Sequence, residues 1–137
     1  MKRPFLLDTC AAIWMMEATL PKRAVEAMTE ALNEGLPTYV SPITAWEAGN
    51  LVRKRRFKAS LAPSRWFERV LATPGMTLSH MPPAVLIAST ELPSFPNNDP
   101  VDRIIAATAR EFGFTVVTRD KPLLDYGKQG YLSVLEC

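Results

Sequence analysis

Four carboxylates stand at places in the chain from which acids can meet. Asp8 closes the apolar run Phe5-Leu6-Leu7, and Asp120 follows Val116-Val117-Thr118-Arg119. Glu47 lies between Trp46 and Ala48 in a mostly apolar stretch that Ser41 and Pro42 would open as a helix. Asp102 follows Asp99-Pro100-Val101 and precedes the apolar run from Ile104 to Ala107. Each acid alone has an ordinary explanation. Asp8, Asp99 and Asp120 suit helix N-caps, Asp102 suits an acidic first turn, and Glu47 a solvated helix face. As a set they carry chemistry. Two such charges roughly 4 Å apart repel by about 4 kcal/mol at an effective dielectric near 20, so a fold that gathers several needs a counter-charge. All-oxygen donors select a hard divalent ion, Mg²⁺ or Mn²⁺, over zinc or copper. Such an ion activates water for phosphodiester hydrolysis.

The elements that would bring these acids together are legible as short runs. Pro4 to Leu7, Thr38 to Val40, Phe114 to Val117 and Tyr131 to Leu135 read as strands, with Met76 to Ser79 as a weaker fifth. Helical spacing links Val25, Met28, Thr29 and Leu32, and again Val101, Ile104, Ile105, Thr108 and Phe112. A short helix is expected from Lys121 toward Tyr126, and Gly113 is placed to cap the helix before it. Apolar strands this short, separated by helices, predict a parallel sheet covered on both faces. The expectation is an α/β fold of three layers, α/β/α, with a central, mostly parallel sheet of about five strands, forming one domain over residues 1–137. Ligands of such sheets collect at the carboxyl ends of the strands, where Asp8 and Asp120 fall. In the helix opened by Ser41, Ile43, Glu47, Asn50 and Lys54 share one face.

Composition narrows the alternatives. The chain has 137 residues, 47% hydrophobic and 22% charged, which is globular rather than disordered. Sixteen Lys and Arg against fourteen Asp and Glu leave a net charge of only +2, which argues against a protein that coats DNA. Cys10 and Cys137 are the two cysteines and His80 the one histidine, so neither a disulfide scaffold nor a zinc site of the usual kind is expected. Asp8 interrupts the apolar N-terminal run, and the run from Cys10 to Met16 is too short to span a bilayer. A soluble, cytoplasmic protein with no membrane association is expected. Cys10 has no base beside it in sequence, so a thiolate nucleophile is not expected.

Four blocks in order resemble the PIN-domain family, and within it the VapC-like toxins of type II toxin–antitoxin pairs. They are Leu6-Leu7-Asp8-Thr9, Ser41-Pro42-Ile43-Thr44-Ala45-Trp46-Glu47, the stretch from Asp99 to Ala109, and Val116-Val117-Thr118-Arg119-Asp120. The resemblance implies a Mg²⁺- or Mn²⁺-dependent endoribonuclease, an RNA substrate, a small cognate antitoxin and a homodimer. It implies that Asp8, Glu47, Asp102 and Asp120 form the catalytic and metal-holding quartet, with Thr9, Thr118 and Asp99 in support. Asp8 and Asp102 would hold a first ion, Glu47 its water shell, and Asp120 the same site or a second one. The stretch Phe95-Pro96-Asn97-Asn98 departs from the family, whose members carry His or Arg there, which bears on substrate positioning.

Arg53, Lys54, Arg55, Arg56 and Lys58 place five positive charges in six residues. They read either as a solvated helix end, where cations favour the dipole, or as an RNA-phosphate or partner contact. Trp14, Met15, Met16, Trp46 and Trp66 are expected in the core or on a dimer surface, and His80 in a structural or exposed position. Two other functions fit parts of the pattern. A HAD-type phosphotransferase also ends its first strand in Asp but needs a second acid two residues later, where Cys10 stands. A non-catalytic RNA- or protein-binding module would need no acids at all.

Overall fold

Strands and helices alternate along the chain in the computed structural model, which describes residues 2–137; Met1, the first residue of the expected domain, lies outside the described residues. The strands are β1 (Phe5–Leu7), β2 (Thr38–Val40), β3 (Met76–Leu78), β4 (Thr115–Thr118) and β5 (Ser133–Glu136). The helices are α1 (Thr9–Met16), α2 (Lys22–Asn33), α3 (Pro42–Arg53), α4 (Pro63–Ala72), α5 (Pro83–Thr90), α6 (Pro100–Phe112) and α7 (Lys121–Lys128). The five strands form one sheet in the order β3-β2-β1-β4-β5, and every pairing is parallel. The chain steps outward from β1 to β3, then crosses to the far side of β1 to lay down β4. That reversal puts the switch point between β1 and β4, and their carboxyl ends open the crevice where ligands of such sheets sit.

Side chains alternate across the sheet with the two-residue period of a strand. Leu6, Tyr39, Val116 and Val134 face Val101, Ile105 and Ala109 of α6 and Leu123 and Tyr126 of α7. Leu7, Val40, Val117 and Leu135 face Ala11 and Ala12 of α1, Ala24 of α2, and Trp66 and Val70 of α4. The result is the expected three-layer sandwich. Helix α3 reaches both layers, giving Ile43 to the first cluster and Ala48 to the second, and so holds its length beside the carboxyl edge of the sheet.

Two details of the sequence reading change. Helices α4 and α5 were not expected; each begins on a proline, Pro63 and Pro83, that fits the first helical turn because its missing N–H has no partner there anyway. Helix α2 forms, but its periodic face is not core: Val25 and Leu32 are more than two-fifths exposed, while Ala24 and Ala31 are buried. The small alanines let α2 approach the sheet, and Val25, Met28 and Leu32 instead line an open groove with Met15 and Leu20. Gly113 does cap α6, in the left-handed region at φ 75°, which a side chain rarely adopts.

Candidate active site

Parallel pairing puts Leu7 level with Val40 and Val117, so the next residues of β1 and β4 emerge side by side at the crevice. Asp8 and Thr118 are those residues. Both are buried, and the Thr118 hydroxyl donates to Asp8 Oδ2 at 2.5 Å. The other oxygen, Oδ1, accepts from the backbone N–H of Ala11 at 2.8 Å, capping α1. Capping and site-building are thus one arrangement at Asp8, not alternatives. Burial still outweighs these two bonds: with the charges of Asp120 and Glu47 adding to it, it pushes the Asp8 carboxyl up to about 6.

Thr118 has a second task. Its Oγ1 accepts from the backbone N–H of Asp120 at 2.9 Å, which ties the start of α7 to the end of β1 through one hydroxyl. Asp120 occupies the N-cap position of α7, yet its side chain makes no capping bond. Its Oδ2 is instead a buried oxygen with no hydrogen-bond partner among the described residues. The ordinary explanation offered for this acid therefore fails, and a buried acceptor left unpaired calls for a partner from outside the chain.

Asp102 enters the crevice from α6. Asp99 caps that helix, its Oδ1 accepting from Val101 N at 2.9 Å and from Asp102 N at 3.4 Å. Pro100 takes the first helical position and Asp102 the third. The Asp102 carboxyl faces that of Asp120. Burial, contact with the Asp120 carboxyl, and the charges of Asp120 and Asp99 push Asp102 up to about 8, against an opposing contact from the Asn97 side chain.

Glu47 comes from α3, which begins as expected with Ser41 Oγ accepting from Ile43 N at 3.1 Å and Pro42 in the first turn. It is half-buried, and its carboxyl is raised by burial and by the charges of Asp99 and Asp120, while the Thr9 hydroxyl opposes the shift. Thr9 Oγ1 also lies 3.2 Å from Thr44 Oγ1, and both threonines are buried. Either threonine hydroxyl can be the donor in that contact, and an ionised Glu47 carboxylate could only accept from Thr9. Thr44 has no role in the sequence reading; the signal for it is its spacing of three residues before Glu47 on the same helix face.

Each of these acids senses others of the group, and Asp120 is common to all. The Cys10 thiol registers their summed field: burial first, then Asp8, Glu47, Asp120 and Asp102, push it up to about 11. A thiolate there is strongly disfavoured, in keeping with the sequence. The cations next to Asp102 and Asp120 in sequence are engaged elsewhere. Arg103 donates to the carbonyls of Asn97 and Ser89 at 2.9 and 3.0 Å and lies over Phe95. Arg119 donates to the Cys137 carbonyl at 2.8 Å with its guanidinium 4.1 Å from the Trp14 ring centroid. Lys121 pairs with Asp125 at 2.6 Å. Among the described residues, no ion pair involves the four acids.

An oxygen-only donor set with uncompensated charge and an orphaned Oδ2 fits a hard divalent cation. Among the described residues no three His, Cys, Asp or Glu side chains are closed into a ready ligand cage.

Of the other expected positions, the basic run does not join the cluster. Only Arg53 is helical; Lys54 is the C-cap of α3, Arg55 has a left-handed φ of 58°, and Arg55, Arg56 and Lys58 continue beyond the helix. All five cations are exposed. Trp66 is core, but Trp46 is 58% exposed and does not belong there. His80 is exposed. No helix among the described residues is long and apolar enough to cross a membrane.

The PIN domain family model matches residues 5–129. The chain is 31% identical over 121 residues to ribonuclease VapC22 of Mycobacterium tuberculosis, covering 86% of this chain and 88% of that protein. Its fold is similar to VapBC2 of Rickettsia felis bound to a promoter DNA fragment, with a TM-score of 0.69 at 16% identity over 96% of this chain and 97% of that one. It is likewise similar to DNA-bound VapBC of Salmonella typhimurium, with a TM-score of 0.66 at 20% identity over 98% of each chain.

Proposed function

The chain belongs to the PIN-domain family, on its VapC-like branch, and from that premise we propose that it is a divalent-metal-dependent endoribonuclease, the toxin of a bacterial type II toxin–antitoxin pair. The observation that carries the metal-dependent reading is the uncompensated acid cluster, with Asp120 Oδ2 buried and unpartnered. Asp8, Glu47, Asp102 and Asp120 are the residues that would hold Mg²⁺ or Mn²⁺. When bound, such an ion lowers the pKa of water and neutralises charge developing on phosphoryl oxygens.

The chain's own groups prepare the site for that chemistry. Asp8 is held by Thr118 and the Ala11 N–H, so its free lone pairs keep a fixed direction. Asp102, pushed up to about 8 by burial and its acidic neighbours, would give up its proton on holding a cation. Glu47, half-buried on α3 beside Thr9, would complete or position the ion's water shell. Asp99 sets the start of α6 so that Asp102 enters the crevice. Arg53, Lys54, Arg55, Arg56 and Lys58 steer and hold RNA phosphates. The same reading brings a small cognate antitoxin as partner, a homodimer, the cytoplasm as location, and one catalytic domain over residues 1–137. A HAD-type phosphotransferase finds no support, since the position two residues after Asp8 carries Cys10.

Total cellular RNA incubated with the antitoxin-free protein tests the reading in Mg²⁺, Mn²⁺ or EDTA, beside the Asp8→Asn variant. Discrete fragments that need the metal and vanish with Asp8→Asn are expected. Equal fragmentation by the variant would overturn the assignment of Asp8, and cleavage undiminished in EDTA would overturn the metal dependence. Folded protein that yields no fragments in either metal would leave a binding module in place of a nuclease.

A further inference from the structure

Helix α3 carries a second feature beside Glu47. Trp46 is 58% exposed and is the one large apolar side chain of α3 on the surface. At 100° per residue it projects about a quarter-turn from Glu47, toward solvent, and Asn50 and Arg53 follow it at spacings of four and three. They form one stripe: Arg53 Nη2 donates to Asn50 Oδ1 at 3.0 Å. Three residues beyond Trp46 the helix surface is bare, because Gly49 has no side chain and nothing lies within 4 Å of where its Cβ would be. A flat molecule therefore has open access to the flank of the indole. The stripe runs on into Lys54, Arg55, Arg56 and Lys58, all exposed, and among the described residues none of these cations is in an ion pair.

From this juxtaposition we infer that Trp46 is a stacking platform for an unpaired RNA base next to the cleaved phosphodiester, with Arg53 and the basic run holding the backbone on that base's far side. The inference rests on the ribonuclease reading and adds a substrate feature to it: single-stranded or looped RNA, whose bases are free to leave the helix and stack. Charge decides the occupant. An aromatic ring followed by an amide and five cations matches a polyanion that carries flat bases. An apolar protein contact would instead need further large apolar side chains on the same face. Those exposed elsewhere, Val25 and Leu32 on α2, Leu78 on β3, Leu86 and Ile87 on α5 and Phe112 on α6, belong to other elements.

The test separates base from backbone. Fluorescence anisotropy with the Asp8→Asn protein in Mg²⁺ compares a labelled oligoadenylate of about twelve nucleotides with an abasic ribose-phosphate chain of equal length and charge. Trp46→Ala is expected to weaken oligoadenylate by about five-fold or more and to leave the abasic chain unchanged, with Trp46→Phe recovering most of the loss. Arg53→Gln is expected to weaken both probes and to make the salt dependence shallower by about 0.7 in logarithmic slope. A Trp46→Ala variant that binds oligoadenylate like its parent, or that loses both probes equally, overturns the stacking role. Dissociation of a dimer by Trp46→Ala in sedimentation, with oligoadenylate affinity intact, reassigns the residue to a protein contact. Base discrimination by a protein that cleaves no RNA would sink the nuclease reading and leave the platform standing.

Discussion

The two sides of the acid cluster are held in opposite ways. Asp8 is buried at the end of the central strand, and each of its oxygens receives a hydrogen bond, one from Thr118 and one from the Ala11 N–H. Asp102 and Asp120 approach from two helices on the other layer, face each other, and leave Asp120 Oδ2 with no partner among the described residues. On one side, position is set before any ligand arrives. On the other, charge is left open. A cation site needs both: fixed ligands supply geometry at no cost in ordering, and uncompensated ones supply the drive to bind. The difference also separates what each side does to the fold, since the wired side joins β1, β4 and α1 while the open side is a local strain.

Removing charge from the open side should have the largest effect and the most contradictory one. Asp102→Asn is expected to cut cleavage by at least about 100-fold, the upper end of what an outer-shell partner costs, while making the metal-free protein more stable. The sign follows from linkage. Asp8 and Asp102 have folded-state pKa values raised to about 6 and about 8, so between about pH 4 and pH 8 the folded protein holds more protons than the unfolded chain. Stability in EDTA should therefore fall as pH rises through that window. Asp102→Asn should remove the upper part of the fall, and Mg²⁺ should flatten the whole of it. Thermal melts at several pH values check this, and an increase in metal-free stability with pH would contradict it.

On the wired side the effects should be smaller and should point the same way for stability and activity. Thr118→Val deletes the donor to Asp8 and the acceptor for Asp120 N–H, leaving two buried polar groups short of a partner. A loss of about 1–3 kcal/mol in stability is expected, with activity reduced between about 10- and 100-fold. Denaturant unfolding and initial cleavage rates on the same preparation would test the pairing of the two losses. Thr44→Val, one hydroxyl further out, should cost the least, about ten-fold or below in Mn²⁺ affinity by calorimetry. Thr44→Ser should restore it, because only the hydroxyl matters if Thr44 supports Glu47 through Thr9.

Much of this was legible before any coordinates. Every strand read from an apolar run is present, because short apolar runs set between helices have little else to be, and Asp120 acts electrostatically on Asp8, Glu47 and Asp102 alike. What sequence could not resolve was direction and depth. Val25 and Leu32 have the spacing of a core face, but periodicity does not say which side of a helix meets the sheet, and alanines took that place. Asp120 looked like an ordinary cap, since position alone does not reveal whether a side chain turns back to its own helix. For Trp46 the sequence leaves the core and a dimer surface equally open, with no local mark to decide between them; at 58% exposure it is not core. The hydroxyl path from Thr44 to Glu47 crosses two helices 35 residues apart, a contact that no local pattern encodes.

The bridge from Thr118 to Asp8 spans 110 residues. On a ribosome, the central strand is made first and must wait beside β2 and β3 until β4 arrives to complete its other edge. Until Thr118 and Asp120 have left the exit tunnel, Asp8 has no hydroxyl to lock it and Asp102 no partner to oppose it. A translation product that stops short of β4 thus carries three of the four acids, lacks Asp120, and has none of their arrangement. By this order of assembly, cutting of nearby RNA during synthesis is withheld until nearly the whole chain has been made.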